Sequence, residues 1–274
     1  MAQVVPGLSY AAYDARPGLR AGYLAALDRG TPGKAEMERT RPKDAASLRW
    51  GSALHCMVLE PARFADEYTI GGPVNPKTQK PYGSDTIKFQ EWALTQTKPI
   101  LTHEEFRLIT GMADAIAAHP VARTIRDEPR QTELSVFWEL DGVPCKARLD
   151  CLQENTIWDI KTARDASYRG FERAIADYRY MMQAAWYLDG AGRAGLVKPG
   201  CRYLWIAVEN AAPYALAVYQ ASLKLLQVGH DRCEQAVALW RDCEKKRVWP
   251  AAYSQDVVKM DAPAWMQPPL DIEV

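Results

Sequence analysis

The feature that most constrains what this chain can fold into is a change of period at Glu133. From there to Thr162 three runs alternate in character with a period of two: Glu133 to Leu140, Val143 to Leu152 and Thr156 to Thr162. They are separated by Asp141-Gly142 and Glu154-Asn155, pairs suited to the tight turns that join antiparallel strands. A three-stranded meander is expected, and it carries charge where a buried sheet should carry none. Residues two apart on a strand share a face, so Lys146, Arg148 and Asp150 should project together, as should Asp159 and Lys161 on the next strand. Counting outward from the Glu154-Asn155 turn sets Asp150 opposite Asp159 and Arg148 opposite Lys161. Directly opposed side chains have Cβ atoms about 4.5 to 5.5 Å apart, and like charges so placed destabilise a sheet. A cation between the two carboxylates removes that penalty, and oxygen ligands with water suit Mg²⁺.

The rest of the chain surrounds this meander with helices. Residues 1–128 read as mostly helical. Thr102 with Glu105 forms a capping box opening a helix whose Phe106, Ile109, Met112, Ala113 and Ile116 lie to one side, ending before Pro120. An earlier helix, Ala45 to Glu60, is stopped by Pro61, and the Pro- and Gly-rich stretch Gly71 to Ser84 reads as a mobile surface loop. After the meander come a helix around Tyr180 to Leu188, strands Tyr203 to Val208 and Tyr214 to Tyr219, and a long amphipathic helix from Ser222 to Arg247. The order indicates a mixed α/β layer rather than a βαβ repeat. With no internal repeat or low-complexity linker, residues 1–274 are expected to form a single domain. Its parts are a helical N-terminal portion (1–128), a sheet with its helix (129–220), and a C-terminal helix and tail (221–274).

Composition narrows the function classes. The 34 basic and 34 acidic side chains cancel, so nucleic-acid binding must come from local clustering. The six cysteines never form a C-x-x-C pair, which removes the usual zinc and thioredoxin-like patterns. No window approaches 18 apolar residues without a charge, and Met1 to Gly7 lacks the regions of a signal peptide, so a cytoplasmic protein without a membrane span is expected.

An acidic-x-Lys triplet alone means little; chance supplies about as many as the two found here, Asp159-Ile160-Lys161 and Glu244-Lys245-Lys246. Context gives the first its weight. Asp150, then Asp159-Ile160-Lys161-Thr162 on the following strand, then Gln183-Ala-Ala-Trp-Tyr187 on a helix resembles the PD-(D/E)XK nuclease superfamily. Trp50-Gly51-Ser52-Ala53-Leu54-His55 leading to Leu59-Glu60-Pro61, together with the run from Tyr178 to Gly190, is similar to the RecE (exonuclease VIII) type of phage and prophage exonuclease. The resemblance covers roughly Ser47 to Gly190, and more faintly Leu8 to Pro17. The chain departs from the motif in lacking a Pro before Asp150.

The resemblance implies a restriction-endonuclease-like core, a central mixed sheet flanked by helices. It also implies roles for particular residues. Asp150 and Asp159 would ligate Mg²⁺ or Mn²⁺ with the carbonyl of Ile160, and His55 would add a ligand from its helix. Lys161 would orient the attacking water, assist its deprotonation and stabilise the transition state; Gln183 and Tyr187, sharing a helix face, would support the site or hold the DNA backbone. It further implies an exodeoxyribonuclease acting on linear double-stranded DNA ends, 5′ to 3′, leaving a 3′ single strand for a single-strand annealing protein. Related phage exonucleases encircle their substrate, so a ring-shaped homo-oligomer, a trimer or tetramer, is also implied.

Other residues have two readings. Glu133 is either a site carboxylate or an edge-of-sheet charge, and Arg148 is placed either to contact the scissile phosphate or to pair diagonally with Asp159. Trp186 and Trp205 read as core. For DNA, the sequence offers Lys146 and Arg148 in the meander, a basic stretch with Arg41, Lys43 and Arg49, and a loop with Lys77 and Lys80. No sequence-reading element is present, so binding should be sequence-independent. Three competing functions fit the sequence less well. A RecB-like nuclease of the Cas4 or AddB type is disfavoured because the cysteines are dispersed rather than clustered for an iron–sulfur cluster. An inert DNA-end-binding protein is disfavoured by retention of Asp150, Asp159 and Lys161 together. A metabolic enzyme with an accidental charged sheet has no phosphate-binding glycine motif to support it.

Overall fold

The computed structural model describes residues 2–40, 46–128 and 130–263. The meander forms where the period of two predicted it: β4 (Gln131–Leu140), β5 (Val143–Gln153) and β6 (Thr156–Ala163). Asp141 and Gly142 both take positive φ, 47° and 80°, as a two-residue turn matched to strand twist requires. The sheet grows on both sides of the meander. Its order is β1-β4-β5-β6-β7-β8, with β1 (Gln3–Val5), β7 (Arg202–Glu209) and β8 (Leu216–Gln220) added. Only the β6–β7 pair is parallel. That connection needs a long crossover, supplied by α9 (Tyr168–Tyr178) and α10 (Tyr180–Arg193).

β7 shows why this is a three-layer structure. Its Tyr203, Trp205 and Ala207 enter one hydrophobic cluster, while Leu204, Ile206 and Val208 enter the other. A strand apolar at every position must be covered on both faces. The first face is covered by α2 (Ala21–Arg29), α10 and α11 (Leu223–Lys246), with Leu24, Trp138, Trp186 and Trp205 in its core. Trp186 and Trp205 are thus core residues. The second face is covered by α4 (Ala46–Leu59) and α7 (His103–Ala118), through Leu54, Val58, Ile109, Met112 and Ile116. Each such fully buried side chain contributes about 1.5–3 kcal/mol. The Thr102–Glu105 capping box is present and adds about 1 kcal/mol at the start of α7. Peripheral elements are α1 (Tyr10–Ala15), α3 (Pro32–Thr40), α5 (Phe64–Glu67), α6 (Ile87–Ala93), α8 (Thr124–Asp127) and the two-stranded pair β2 (Thr69–Ile70) and β3 (Ile100–Leu101). Among the described residues no helix is long and apolar enough to cross a membrane.

Several sequence expectations need correction. The strand expected from Tyr214 begins at Leu216, because Tyr214 has φ 60° and belongs to the preceding turn. The edge strand β1, too short for a periodicity, and α9, capped by Ser167, were not anticipated. The largest correction concerns alternation within β5. Leu149 packs in the first core cluster and Cys151 in the second, although residues two apart should share a face. The opposing strand breaks with it: Leu134 pairs with Leu149 and Thr132 with Cys151, but Glu133, between them at φ 50°, makes no ladder pair with Asp150. Lys146, Arg148 and Asp150 therefore do not form one charged row.

Candidate active site

Asp150 stands where both of its ladders are interrupted. On the β6 side the expected register holds through Gln153–Thr156, Leu152–Ile157 and Cys151–Trp158, then stops. The Asp150–Asp159 cross-strand pair does not form; the strands part at the position where two carboxylates would have been opposed. Parting releases both main-chain groups of Ile160, and side chains take them. The Ile160 amide donates to Asp150 Oδ2 at 3.2 Å, and the Ile160 carbonyl accepts from His55 Nε2 at 3.0 Å. Because a carbonyl only accepts, His55 carries its hydrogen on Nε2 and leaves Nδ1 for another partner.

That nitrogen points at carboxylates. His55 Nδ1 lies 3.5 Å from Asp150 Oδ2 and 3.9 Å from Glu133 Oε1. His55, Glu133 and Asp150 offer ligand atoms all within 4.8 Å of one another. Glu133, one of the two-way readings above, belongs to this group, and its left-handed backbone is what turns it inward. A non-glycine residue in that region costs about 1–2 kcal/mol, and Arg148 helps hold it: Nε donates to Glu133 Oε2 at 2.6 Å while Nη1 donates to the Leu8 carbonyl at 2.6 Å and to Ser135 Oγ at 3.2 Å. Arg148 thus faces Glu133 rather than Lys161 or Asp159.

Asp159 is 1% exposed and sits apart from that trio. Gln183 Nε2 donates to its Oδ1 at 2.8 Å. Its Oδ2 lies 2.5 Å from Lys161 Nζ as an ion pair but accepts no hydrogen bond in good geometry. Lys161 Nζ also lies 4.9 Å from the centre of the Tyr180 ring, an attraction between cation and π face. Tyr187 stands one turn along α10 from Gln183, on the same wall.

The electrostatics follow from burial among unlike charges. Burial raises the Asp150 pKa to about 7; His55 and Lys161 pull against it, while Asp159 and Glu133 add to it. For Lys161 burial works against the charge, but Asp159 and Asp150 outweigh it and the pKa is raised. For His55 burial again opposes protonation, and Asp150, Glu133 and the Ile160 carbonyl outweigh it, so that its pKa too is raised.

His55, Glu133, Asp150, Lys161, Gln183 and Tyr187 line a cleft of about 640 Å³, with Asp159 buried behind Lys161. Its far walls were missed in the sequence: Tyr10 and Tyr13 of α1 on one side, Arg63 and Tyr68 on the other. Only the faint resemblance at Leu8 to Pro17 hinted at the first. The cleft lining carries four cationic side chains (Arg20, Arg63, Arg148, Lys161) and four carboxylates (Glu60, Glu67, Glu133, Asp150). Protein charge alone therefore gives it no pull on a polyanion. The donor set fits a hard divalent cation: carboxylate oxygens, one imidazole nitrogen, and a buried Asp159 oxygen that no hydrogen bond satisfies.

The candidate DNA contacts fare differently. Lys146 is 4% exposed and spends its ammonium on the carbonyls of Tyr13, Asp14 and Arg16, so it is not available to a ligand in the cleft. Arg49 bonds Glu105 at 2.6 Å and ties α4 to α7. Lys77 and Lys80 are exposed on the loop but do not line the cleft. Arg41 and Lys43 lie outside the described residues.

Residues 32–257 match the profile of a family described as a PDDEXK-like domain of unknown function (DUF3799). None of the curated proteins matches the chain. Among solved structures, a protein of Eubacterium rectale named as a candidate exonuclease superposes with a TM-score of 0.63 at 14% identity, over 94% of this chain and 97% of that one. At that identity the likeness is one of fold.

Proposed function

The chain belongs to this family of PDDEXK-like domains, and from that premise we propose that it is a metal-dependent deoxyribonuclease that degrades linear double-stranded DNA from its ends. The observation that carries the proposal is the gathering of Asp150, Asp159, Lys161, His55 and Glu133 around one interruption of the sheet, beside an open cleft. The neighbour's fold and name support an exonuclease in particular. The 5′ to 3′ direction, the 3′ single-stranded product and its hand-over to an annealing protein rest on the RecE-type motifs. We also propose a cytoplasmic location, as expected from the sequence.

His55, Glu133 and Asp150 would hold Mg²⁺ or Mn²⁺; Asp159 Oδ2, paired with Lys161, and the Ile160 carbonyl, bound by His55, would join them only by exchanging those partners. A bound divalent cation supplies positive charge at the phosphate oxygens and acidifies water. The side chains account for the rest. Lys161, kept protonated by Asp159, acts as a fixed cation and hydrogen-bond donor toward an attacking water and a nonbridging phosphate oxygen. Its raised pKa makes it an orienting group, leaving proton removal to a carboxylate. Gln183 fixes Asp159, and Arg148 fixes Glu133, so neither carboxylate must reorganise when charge develops.

Linear and covalently closed circular duplex DNA incubated with Mg²⁺, with and without chelator, tests this reading. Chelator-sensitive loss of the linear form alone is expected; cleavage of the closed circle would overturn end-directed action, and no cleavage of either would overturn the nuclease. We further infer a closed homo-oligomeric ring, a trimer or tetramer, as the working form, since a neutral chain with a charge-balanced cleft retains DNA better by enclosing it. Light scattering showing only a 30.7 kDa species would break that inference.

A further inference from the structure

Next to the catalytic cleft, and sharing Ala21, Gly22, Gln183 and Tyr187 with it, lies a smaller chamber of about 310 Å³ whose Arg29, Tyr178 and Tyr180 have no part in the chemistry above. It opens between Ala21, Gly22 and Ala25 on α2 and the rings of Tyr178 and Tyr180 at the α9–α10 junction, with Arg29 on its wall. We propose that this chamber receives one unpaired nucleobase of the bound strand, stacked on Tyr178, with Arg29 meeting a phosphate beside it. The proposal rests on the nuclease reading and adds to it the place of a base.

Five observations converge here. Tyr178 is 59% exposed, yet it is not loose: its ring stacks on Tyr180 at 5.5 Å between centres and 24° between planes. Tyr180 in turn covers Lys161 Nζ at 4.9 Å, so the exposed ring is one ring removed from the reacting lysine. The arrangement depends on a deliberate break. In a continuous helix residues two apart point about 200° apart around the axis, and Tyr178 and Tyr180 would face away from each other. Arg179 instead takes the left-handed region, φ 61° and ψ 39°, ending α9 and starting α10. Asp28 holds that residue in place by pairing with the guanidinium of Arg179 and, at 2.8 Å, with that of Arg232. Opposite the rings the wall is of small residues, and a Cβ added at Gly22 would meet nothing within 4 Å. The chamber thus combines exposed aromatic rings with small residues and open space over Gly22. Arg29, at its wall, is exposed and makes no ion pair among the described residues.

A nucleobase suits such a chamber because every base has a π face, and stacking on an aromatic side chain is tolerant of sequence. That agrees with the absence of any sequence-reading element. Alanine in place of a stacking aromatic typically weakens binding by about 5-fold to about 150-fold.

The test uses the full chain and a duplex with a short single-stranded end carrying 2-aminopurine. Fluorescence is read in Ca²⁺, and initial rates against substrate concentration are read in Mg²⁺, for wild type, Tyr178→Ala and Tyr178→Phe. Wild type is expected to quench the probe. Tyr178→Ala should lose the quench and raise KM by about 5-fold or more with kcat within about 2-fold, and Tyr178→Phe should restore both. If wild type hydrolyses DNA but Tyr178→Ala quenches and binds as wild type does, the stacking site is overturned and the nuclease stands. If Tyr178→Phe behaves as Tyr178→Ala, the ring is not acting by stacking, and the proposal also falls. If wild type neither binds nor hydrolyses any DNA, the nuclease reading fails first and takes this one with it.

Discussion

Two lysines in the same sheet, Lys146 on β5 and Lys161 on β6, both lie beside a tyrosine ring and differ in what else meets the ammonium. Each is largely buried, and each ammonium sits 4.9 Å from the centre of a tyrosine ring, Tyr13 for one and Tyr180 for the other. Lys146 is then surrounded by neutral acceptors, the carbonyls of Tyr13 (3.1 Å), Asp14 (2.9 Å) and Arg16 (2.6 Å), which belong to the end of α1. Burial, with Arg20 adding to it, lowers its pKa. Lys161 meets a carboxylate instead, its pKa is raised, and its remaining donors face a cleft. A buried ammonium satisfied by carbonyls is a clamp: it holds the N-terminal segment onto the sheet. The same group held by one carboxylate keeps donors for a substrate.

Exchanging the effects of the two lysines is the strongest way to break this comparison. Lys161→Ala, or Asp159→Asn, is expected to lower the hydrolysis rate by at least about 100-fold, the scale of losing one preorganised electrostatic partner, with a small change in Tm. Rates and thermal unfolding on one preparation decide it, and near-normal Mg²⁺-dependent hydrolysis by folded Lys161→Ala would end the assignment. Lys146→Met should do the reverse. It takes the donor from one buried carbonyl, that of Tyr13, and from two partly buried ones, at a cost of about 1–3 kcal/mol, or a Tm lower by about 2–12 °C at this chain length. The rate per folded molecule should stay within about 2-fold.

The acidic side of the site sharpens the contrast through pH. An aspartate normally titrates near 3.9, and Asp150 in the fold does so at about 7. The folded state therefore holds this proton more tightly than the unfolded chain, so its stabilising contribution is full below about pH 4 and lost as pH rises through about 7. A divalent cation competes with that proton. The rise in Tm caused by millimolar Mn²⁺ or Mg²⁺ should consequently be larger at pH 8 than at pH 6, and Asp150→Asn should flatten the difference. A shift independent of pH would remove Asp150 from the ligand set. The smallest expected effect is that of Glu133→Asn. Asparagine tolerates the left-handed region, so Tm without metal should change by only about 1 kcal/mol equivalent, while the metal-induced shift at pH 8 shrinks. An undiminished shift would return Glu133 to the role of a sheet-edge charge.

How much of this was legible beforehand varies along one strand. The turns at Asp141-Gly142 and Glu154-Asn155 and the register through Cys151–Trp158 were readable from period and turn chemistry. One residue further, at Asp150, the same reasoning set two aspartates face to face, and the sheet instead comes apart there. The error was in continuing a ladder past the point where its side chains repel each other. Arg148 was assigned across to β6, since nothing in the spacing indicated that Glu133 would adopt a left-handed conformation and meet it. Tyr180 and Tyr178 passed as parts of a motif because their juxtaposition depends on Arg179 breaking the helix, and that break is held by Asp28, 151 residues away.

What the sequence by itself determined is local: the three meander strands, the capping box at Thr102, the strand at Tyr203 to Val208, and the set of residue types able to do metal-dependent phosphodiester chemistry. Period, caps and turns act over a few residues, so they are written in order along the chain. Which charges serve chemistry and which serve the fold was decided only in three dimensions. An ion pair or hydrogen bond depends on what comes within a few ångströms, and those partners come from far along the chain. His55 reaches Ile160 across 105 positions, and Lys146 reaches Tyr13 across 133. The Asp159-Ile160-Lys161 spacing marks Lys161, but nothing in the sequence marks Lys146 as a clamp rather than a DNA contact; the carbonyls waiting for one and the carboxylate beside the other separate them.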